Sequence, residues 1–381
     1  MIGPATAGAA GMAAGRDGKG MRLALGLMSG TSLDGIDAAL VETDGERAVP
    51  VGAPLTVPYD AVLREALRGA LGATGPVTAV ERALTEAHAA AVRRLLDSNR
   101  LAPSRVAVIG FHGHTILHRP REGVTRQIGD GALLARLCGI DVVNDFRAND
   151  VAQGGEGAPF VPLYHAALAR ELEKPLAVLN VGGVANLTWI GADGTVIAFD
   201  TGPGNAQLDD WVRRHTGRPF DEGGALAGSG TADGAILARL LARPYFDRPA
   251  PKSLDRLDFD LAAVDGLAPA DGAATLAAFT CAAVGRALAH LPAAPRRWLV
   301  TGGGRRNATL MAGLATVLGV AVEPVEAVGW NGDALEAQAF AFLAVRSLRG
   351  LPLSLPATTG VRAPATGGIL HRARAAGRKA F

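Results

Sequence analysis

The chain alternates short apolar runs with polar, glycine-rich turns, and this alternation predicts strands joined by tight turns. Residues 22–28 (RLALGLM) are mostly apolar and lead into a polar turn, after which a second apolar run covers residues 36–41. A strand, a turn and a second strand are what this pattern predicts. Further along, strands are predicted at 106–111 and 140–143, with a helix at 130–138 between them.

The strongest helical pattern covers residues 78–98. Apolar residues recur there at helical spacing from Val80 onward, and Thr78 and Glu81 match a capping box. We therefore expect a helix that begins at Thr78 and is capped by this pair. A shorter helix is predicted at 60–71.

Near residue 176 the pattern of the first segment starts again. Apolar runs at 176–181 and 185–190 flank the glycine turn at 182–183, and a third strand is predicted at 194–199. The likeness to residues 22–42 predicts a structural duplication, with two domains that each open on a glycine-turned hairpin. A strand at 298–300 and helices at 273–291, 307–318 and 333–348 follow. Strands mixed with helices in this order predict an α/β fold.

Length and composition narrow the class of protein. At 381 residues the chain is long enough for two domains, and with 49% hydrophobic residues it is not an intrinsically disordered chain. No uncharged apolar run reaches about 18 residues, so we expect no membrane span. Cys138 and Cys281 lack the spacing of a metal site or a disulfide framework, which favours reduced thiols in a cytoplasmic protein.

Charge is unevenly distributed along the chain. The net charge is +2, but residues 361–381 carry five basic side chains and residues 1–20 add one more positive charge, which leaves the rest at −4. A mildly acidic body argues against nucleic acid as a partner, because phosphate binding needs a concentrated basic face. Residues 1–20 are rich in Ala and Gly and lack the apolar block of a signal peptide, so we expect a disordered leader.

Glycine-rich turns follow apolar strands at three places, residues 29–35, 182–183 and 302–304. Glycine lets the backbone approach a phosphate closely and leaves N–H groups free to bind it. Any one of these turns is also what an ordinary hairpin needs. Three of them in two similar halves favour a nucleotide held between domains, although no GxxxxGK[ST] motif is present.

Carboxylates accompany two of these loops. Asp34 and Asp37 flank Gly35, where they suit Mg²⁺ beside phosphates but also suit an ordinary turn. Asp200 follows the apolar run 196–199 and precedes TGPGN, so we expect it to project into a cleft as a general base. A cap of an Asx turn is the competing interpretation of Asp200.

Two further segments have the composition of binding loops. Arg147 and Asp150 lie in the polar, Gly-rich stretch 144–162, where Arg suits a carboxylate or phosphate of a substrate and the alternative is an ion pair within the loop. His112 opens a predicted His-rich turn, HGHT at 112–115. Without Cys or Glu partners nearby, hydrogen bonding to a polar substrate or to backbone is favoured over a metal site.

Taken together, these segments resemble the anhydro-N-acetylmuramic acid kinases. The resemblance runs from about residue 22 to 360 and rests on the following strings: GLMSGTSLDGIDAAL, FHGHTILHRP, TRQIGDGALLA, DFRANDVAQGGEGAPFVPLYH, LNVGGVANLT, FDTGPGNAQLDDW, PKS, TGGGRRN and GDALEAQAFAFLA. MSGTSLDG and FDTGPGN are specific in combination.

The resemblance implies two ribonuclease-H-like domains of the sugar kinase, actin and heat-shock chaperone type around an ATP cleft. The first would cover residues 21–170 and be completed by 333–360, the second would cover 171–332, and 361–381 would form a basic tail. The implied reaction uses ATP and water to convert 1,6-anhydro-N-acetylmuramic acid to N-acetylmuramic acid 6-phosphate in bacterial cell-wall recycling. A cytoplasmic homodimer is also implied.

The resemblance also implies roles for individual residues. Asp200 would be the catalytic base, and Asp34 would hold Mg²⁺ directly or through water. Substrate contacts would come from His112, Arg147, Asp150, Asn205 and Glu336. ATP would be bound by Gly30, Thr31, Ser32, Leu33, Asp34, Gly35, Ile36, Asp37, Gly182, Gly183, Gly302, Gly303 and Gly304.

This chain departs from the family pattern in several places, among them His114 and Glu156, where the family usually has Gln. We expect His114 to add a group that titrates near neutral pH. A plain sugar or carboxylate kinase of the same superfamily is the alternative function, since its fold and base would be the same. A chaperone-type ATPase would need a further peptide-binding domain.

Overall fold

A computed structural model describes residues 20–30, 33–254 and 258–373. The predicted leader, apart from Gly20, lies outside the described residues, as do Thr31, Ser32 and the end of the basic tail. The strands within the described ranges are β1 (Arg22–Ser29), β2 (Gly35–Thr43), β3 (Ala48–Pro58), β4 (Val108–Arg119), β5 (Val124–Ile128), β6 (Val142–Asn144), β7 (Leu176–Val181), β8 (Val184–Ile190), β9 (Val196–Pro203), β10 (Arg297–Thr301), β11 (Val322–Pro324) and β12 (Ile369–His371).

Helices connect these strands and cover both sheets. They are α1 (Ala61–Ala70), α2 (Thr78–Ser98), α3 (Gly131–Cys138), α4 (Ala148–Ala152), α5 (Pro162–Leu168), α6 (Ala206–Thr216), α7 (Ala225–Gly228), α8 (Gly234–Leu241), α9 (Pro269–Ala287), α10 (Ala308–Leu318), α11 (Leu335–Leu348) and α12 (Pro356–Thr359).

The two sheets repeat one topology. In the first sheet the strand order is β12-β6-β4-β1-β2-β3, with β5 paired to β4, and in the second it is β11-β10-β7-β8-β9. Each begins with an antiparallel meander, β1-β2-β3 or β7-β8-β9, and then adds two parallel strands beside its first strand. The repeat confirms the predicted α/β fold and the structural duplication.

Helix α11 lies against β1, β2 and β4 of the first sheet, although it comes late in the chain. Glycines allow this close approach, because a Cβ at Gly26 would meet the Ala337 carbonyl oxygen at 1.7 Å and one at Gly110 would meet that of Phe340 at 2.0 Å. Phe340 and Phe342 are buried in the same core. Each such side chain contributes about 1.5–3 kcal/mol by burial.

Tertiary contacts changed three local predictions. Helix α2 begins at Thr78 as predicted, but the capping box is wrong: Val77 is the N-cap and makes no side-chain cap bond. The Glu81 carboxylate instead accepts the Gly129 N–H at 3.0 Å, a partner that the local pattern does not contain. The predicted His-rich turn at 112–115 is part of the long strand β4, which pairs with β1 and β5.

The third difference concerns strand lengths. Strand β9 continues through Asp200 to Pro203, so Asp200 lies within the strand and not after its end. Strand β3 carries three prolines and is exposed at most of its positions, and the apolar pattern did not indicate it. Prolines are tolerated there because β3 is an edge strand, which needs hydrogen bonds on one side only.

Within the described ranges, one helical segment, residues 269–290, is long and apolar enough to pass a length and composition test for a membrane span. It lies in the second half of the molecule, and 67% of its most apolar stretch is buried against the rest of the protein. Burial of this kind is typical of a core helix. Both cysteines are free thiols.

Candidate active site

The glycine turns of the second half meet at one edge of its sheet. Strands β7, β9 and β10 run in the same direction, so their carboxyl ends share that edge. The carbonyl of Gly182 accepts the Asn205 N–H at 2.7 Å, and the carbonyl of Gly183 accepts the Gly204 N–H at 3.0 Å. The structure therefore brings together residues 182–183, 204–205 and 302–304.

Gly302 is required by both conformation and space. Its φ is +75°, and a Cβ there would lie 2.3 Å from Asn180 Oδ1 and 2.6 Å from the Val181 carbonyl oxygen. Asn205 closes the same corner, since its Nδ2 donates to the Val181 carbonyl at 2.9 Å. Asn205 is thus anchored to the glycine turn, and the residue is half-buried there.

The hairpin between β1 and β2 supplies the facing loop. Leu33 has φ +59°, a left-handed conformation that non-glycine residues rarely adopt, and its N–H donates to the Gly30 carbonyl at 3.2 Å. Arg64 Nε donates to the Leu33 carbonyl at 3.0 Å and supports the turn. The side chains of Leu33 and Ile36 are buried in the core, so only their backbone can face a ligand.

A buried hydrogen-bonded chain lies beneath this hairpin. Ser29 Oγ is 2.5 Å from the Tyr59 hydroxyl and 2.8 Å from His114 Nδ1. Burial lowers the pKa of His114 to about 4, so the expectation that it titrates near neutral pH is wrong. His114 Nε2 is buried and has no hydrogen-bond partner among the described residues.

Four carboxylates line the cleft next to the same hairpin. Burial raises the pKa of Asp37 to about 6, and the charges of Asp34 and Asp333 raise it as well. The Thr56 hydroxyl, which donates to Asp37 Oδ1 at 2.6 Å, opposes this shift. The Glu336 side chain is exposed at the cleft. Loss of water to the surrounding protein nevertheless raises its pKa, and the negative charges of Asp37 and Asp34 raise it further. Repulsion between these carboxylates favours a nearby cation, but among the described residues no group of three or more His, Cys, Asp or Glu side chains is arranged to hold a metal ion.

His112 and Arg147 form a directly bonded pair. Arg147 Nε donates to His112 Nε2 at 3.0 Å, and Nη1 donates to the Gly157 carbonyl at 2.6 Å. His112 Nδ1 lies 2.9 Å from the Gly113 carbonyl, which assigns the proton to Nδ1. Burial and the neighbouring Arg147 charge hold the pKa of His112 well below its usual range. Burial lowers the pKa of Arg147 to about 10, while Glu336 opposes this shift.

Asp150 is almost fully buried and bonded to protein groups. Its Oδ1 accepts the Gly157 N–H at 2.7 Å, and its Oδ2 accepts the hydroxyls of Ser354 and Thr359, the latter at 2.6 Å. These bonds join the loop after α4 to the segment before β12. In this arrangement Asp150 orders the loop that carries Glu156 and Gly157, and no open oxygen faces the cleft.

Asp200 is a half-buried carboxylate on β9. Its Oδ2 accepts the Leu254 N–H at 2.8 Å, and its own N–H donates to the Lys252 carbonyl at 2.9 Å. Burial raises the pKa of Asp200 to about 7, the Leu254 N–H opposes the shift, and the nearby Glu156 carboxylate adds to it. A carboxylate with a pKa near neutrality is suited to accept a proton.

Several residues near the cleft were not predicted as site residues. Arg305 donates to the Gly302 carbonyl at 2.9 Å and pairs with Glu326 at 3.0 Å and with Asp333 at 2.9 Å. It also lines a cavity of about 660 Å³ together with Trp330. The motifs TGGGRRN and GDALE contain Arg305 and Asp333 and were the signal available. The motif PKS likewise contains Ser253, whereas Tyr59 carried no comparable signal.

Comparison with known proteins identifies the family. Residues 22–373 match the anhydro-N-acetylmuramic acid kinase family. The chain belongs to the anhydro-N-acetylmuramic acid kinase family. The family predicted from sequence, and with it the predicted enzyme class, a phosphotransferase acting on an alcohol group, is confirmed.

Individual relatives within this family are close. An anhydro-N-acetylmuramic acid kinase from Rhodospirillum rubrum is 58% identical over 359 residues, which cover 93% of this chain and 95% of that protein. One from Paramagnetospirillum magneticum is 59% identical over 352 residues, covering 92% and 99%. Among solved structures, component A of the (R)-2-hydroxyglutaryl-CoA dehydratase of Acidaminococcus fermentans is 14% identical with a TM-score of 0.46, covering 85% of this chain and 99% of that one.

Proposed function

We propose that this enzyme uses ATP and water to open 1,6-anhydro-N-acetylmuramic acid and to phosphorylate O6, giving N-acetylmuramic acid 6-phosphate and ADP. Peptidoglycan recycling is the process that such a reaction serves. The observation that carries the proposal is Asp200, a half-buried carboxylate whose pKa is raised to about 7 by burial, at the edge where the glycine turns converge. Family membership supports the choice of sugar.

The proposed reaction balances with one base. Water attacks C1 of the internal acetal and gives a proton to Asp200, while the bond between C1 and O6 breaks. The released electron pair on O6 attacks the γ-phosphorus, and ADP leaves. Because phosphoryl transfer caps O6 directly, the leaving oxygen needs no separate general acid.

Arg147 and His112 are proposed to bind the sugar. Arg147 has Nε and Nη1 bonded to protein acceptors, while Nη2 has no hydrogen-bond partner in the part of the chain the structure describes. A guanidinium held on two nitrogens is pre-oriented for the lactyl carboxylate of the substrate. The charge of Glu336 acts on Arg147 and raises its pKa. We propose that Glu336 contacts a sugar hydroxyl and that Asn205 lies nearer the phosphates.

The converging turns are proposed to hold ATP. Residues 30–37, 182–183 and 302–304 are proposed to contact its phosphates, and the cavity beyond Gly302 has the size of a nucleoside site. The carboxylates of Asp34 and Asp37 fit Mg²⁺, since they provide oxygen donors whose mutual repulsion a divalent cation would relieve. When bound, Mg²⁺ would offset the charge of the phosphates.

The test follows the oxygen from water. The purified protein is incubated with Mg-ATP and 1,6-anhydro-N-acetylmuramic acid in ¹⁸O-labelled water and quenched early. We expect one ADP for each 6-phosphate sugar, with ¹⁸O at C1, and loss of both products in Asp200→Asn. Unlabelled product added to labelled water corrects for exchange at the anomeric carbon.

The opposite outcome is equally specific. ADP formed with N-acetylmuramic acid or a simple hexosamine, but not with the anhydro sugar, would overturn the proposal in favour of a plain sugar kinase. ADP and product from Asp200→Asn at the normal rate would overturn the assignment of the base.

The domain bounds, the oligomeric state and the location of the protein are also proposed. We propose domains at residues 21–170 with 333–360 and at 171–332, which the packing of α11 on the first sheet supports. A homodimer and a cytoplasmic location stay predictions. Light scattering on the purified protein, over a range of concentrations, measures the oligomeric state.

A further inference from the structure

Glu156 is a second carboxylate beside Asp200, presented by the loop that follows α4. The backbone of this loop is held residue by residue. The Gly155 N–H donates to the Asp150 carbonyl at 2.9 Å, the Glu156 N–H to the Thr359 carbonyl at 2.6 Å, and the Gly157 N–H to Asp150 Oδ1 at 2.7 Å. The position of Glu156 is therefore set by the fold and not by its own side chain.

The two carboxylates bind neighbouring residues of one segment, residues 252–254, here called the strap. Glu156 Oε2 accepts the Ser253 hydroxyl at 2.7 Å. Asp200 Oδ2 accepts the N–H of the next residue, Leu254, at 2.8 Å. The strap thus joins a loop near the first sheet to a strand of the second.

The strap is also anchored without Glu156. The buried Lys252 donates from Nζ to the carbonyls of Tyr245 and Phe246, both at 3.1 Å, and lies 3.2 Å from His290 Nε2. Its carbonyl accepts the Asp200 N–H. A change of charge at residue 156 therefore leaves the strap attached to the second half of the molecule.

We propose that Glu156 is a positioning residue of this reaction, which holds the strap against Asp200 and whose negative charge makes Asp200 a stronger base. The inference rests on the proposed role of Asp200 as the base. It adds an electrostatic partner that raises the affinity of Asp200 for the proton of the attacking water.

Other groups that face Asp200 do not compete with this effect. Tyr245 donates its hydroxyl hydrogen to the Asp200 carbonyl oxygen at 2.6 Å, and burial, Asp200 and Glu156 all raise the pKa of this phenol, so it stays neutral. The charge of Arg248 lowers the pKa of Tyr245, and the charge of Asp258 raises it. The Lys252 ammonium is bonded to the carbonyls named above.

The test compares pH profiles of Glu156→Gln and the unaltered enzyme. Gln keeps an oxygen that can accept the Ser253 hydroxyl but removes the charge. We expect the acid limb of kcat/KM for the anhydro sugar to move down by about 0.5–1 pH unit and the alkaline plateau to fall about two- to threefold. The two profiles then cross, which uniform structural damage cannot produce.

Three variants serve as controls. Glu156→Asp keeps the charge and should keep the acid limb. Ser253→Ala removes the strap contact but not the charge, so its plateau should fall while the acid limb stays. Glu173→Gln removes an exposed charge that pairs with Arg296 and should leave the profile unchanged.

The outcomes separate the two hypotheses. If Asp200→Asn is inactive and Glu156→Gln lowers the rate equally at every pH, or not at all, the inference on Glu156 is wrong while the base assignment stands. If Asp200→Asn keeps normal activity, the proposed function fails first, whatever Glu156→Gln does.

Discussion

Arg147 donates its Nε hydrogen to Nε2 of His112 at 3.0 Å, although 35 residues separate them in the chain. The bond requires a neutral imidazole with its proton on Nδ1, and the Gly113 carbonyl accepts that proton. The histidine thereby orients the arginine without carrying charge. The guanidinium remains the cation of this corner, because even its lowered pKa of about 10 is well above neutrality.

Arg147→Lys should weaken sugar binding more than ATP binding. A lysine cannot bond both His112 and the Gly157 carbonyl while presenting a further donor to a carboxylate. We expect kcat/KM for the anhydro sugar to fall about 100-fold, or about 2.7 kcal/mol, with KM for ATP nearly unchanged. Steady-state kinetics with each substrate varied measures this.

A matched control is Arg126→Lys. Arg126 also donates to two backbone carbonyls, those of Ala73 and Gly75, but it lies on β5 away from the site. Its kinetic constants should be unchanged. An equal loss in both variants would mean that Arg147 acts only through folding.

Asp200→Asn should remove activity and raise stability at alkaline pH. The folded state raises the pKa of Asp200 to about 7, so its favourable contribution is complete below the unfolded pKa near 4 and is lost as the pH rises through 7. We expect the variant to gain about 1–3 kcal/mol in free energy of unfolding at pH 8, with the gain shrinking as the pH falls toward 4. Urea unfolding at several pH values measures it.

Asp193→Asn is the control, because the pKa of Asp193 is shifted in the opposite direction. Thr195 donates to Asp193 from its backbone and side chain, and both bonds hold the pKa of this exposed carboxyl below its ordinary value. Its substitution should bring no gain at pH 8. A gain of equal size in both variants would contradict burial as the cause at Asp200.

Gly302→Ala should impair nucleotide binding through a steric clash. An added Cβ would lie within 2.6 Å of Asn180 Oδ1 and the Val181 carbonyl oxygen, so the turn must move. We expect the Kd for an ATP analogue, measured by calorimetry, to rise at least about tenfold, or about 1.4 kcal/mol.

Gly194→Ala separates clash from backbone strain. Gly194 has φ +85°, similar to Gly302, but nothing lies within 4 Å of its added Cβ. Gly194→Ala should lose about 1 kcal/mol of stability from its positive φ, and Gly302→Ala should lose more, because φ +75° with ψ 179° is a backbone region essentially confined to glycine. Only Gly302→Ala should lose affinity for the analogue, and an equal loss in both would rule out the clash.

His114→Leu should disturb the hairpin between β1 and β2. The change leaves Ser29 bonded to Tyr59 alone beneath that hairpin. We expect a loss of about 1–3 kcal/mol in the free energy of unfolding and a raised KM for ATP. His114→Gln, which can still bond Ser29, should restore most of both, and failure of this rescue would show that the imidazole itself is needed.

Much of the fold follows from local patterns. The repeated unit of strand, glycine turn and strand is visible in the sequence because alternation and glycine act over a few residues, and it recurs in both sheets. The same local signals predicted Asp200 and the glycine turns as site residues, and these roles stay predictions. Helix α2 has its predicted bounds, yet its N-terminal cap was predicted wrongly, because Glu81 bonds Gly129 from a distant part of the chain.

The sequence by itself determined the family, the α/β class and the positions of the chemistry-bearing loops, since these depend on residue types and short spacings. Only the tertiary structure decided which groups meet: Asp150 with Ser354 and Thr359, and Glu156 with Ser253. It also decided which groups titrate, because burial lowers the pKa of His114 to about 4 and raises that of Asp200 to about 7. Loss of water from a side chain is a property of the packed molecule, and no local pattern contains it.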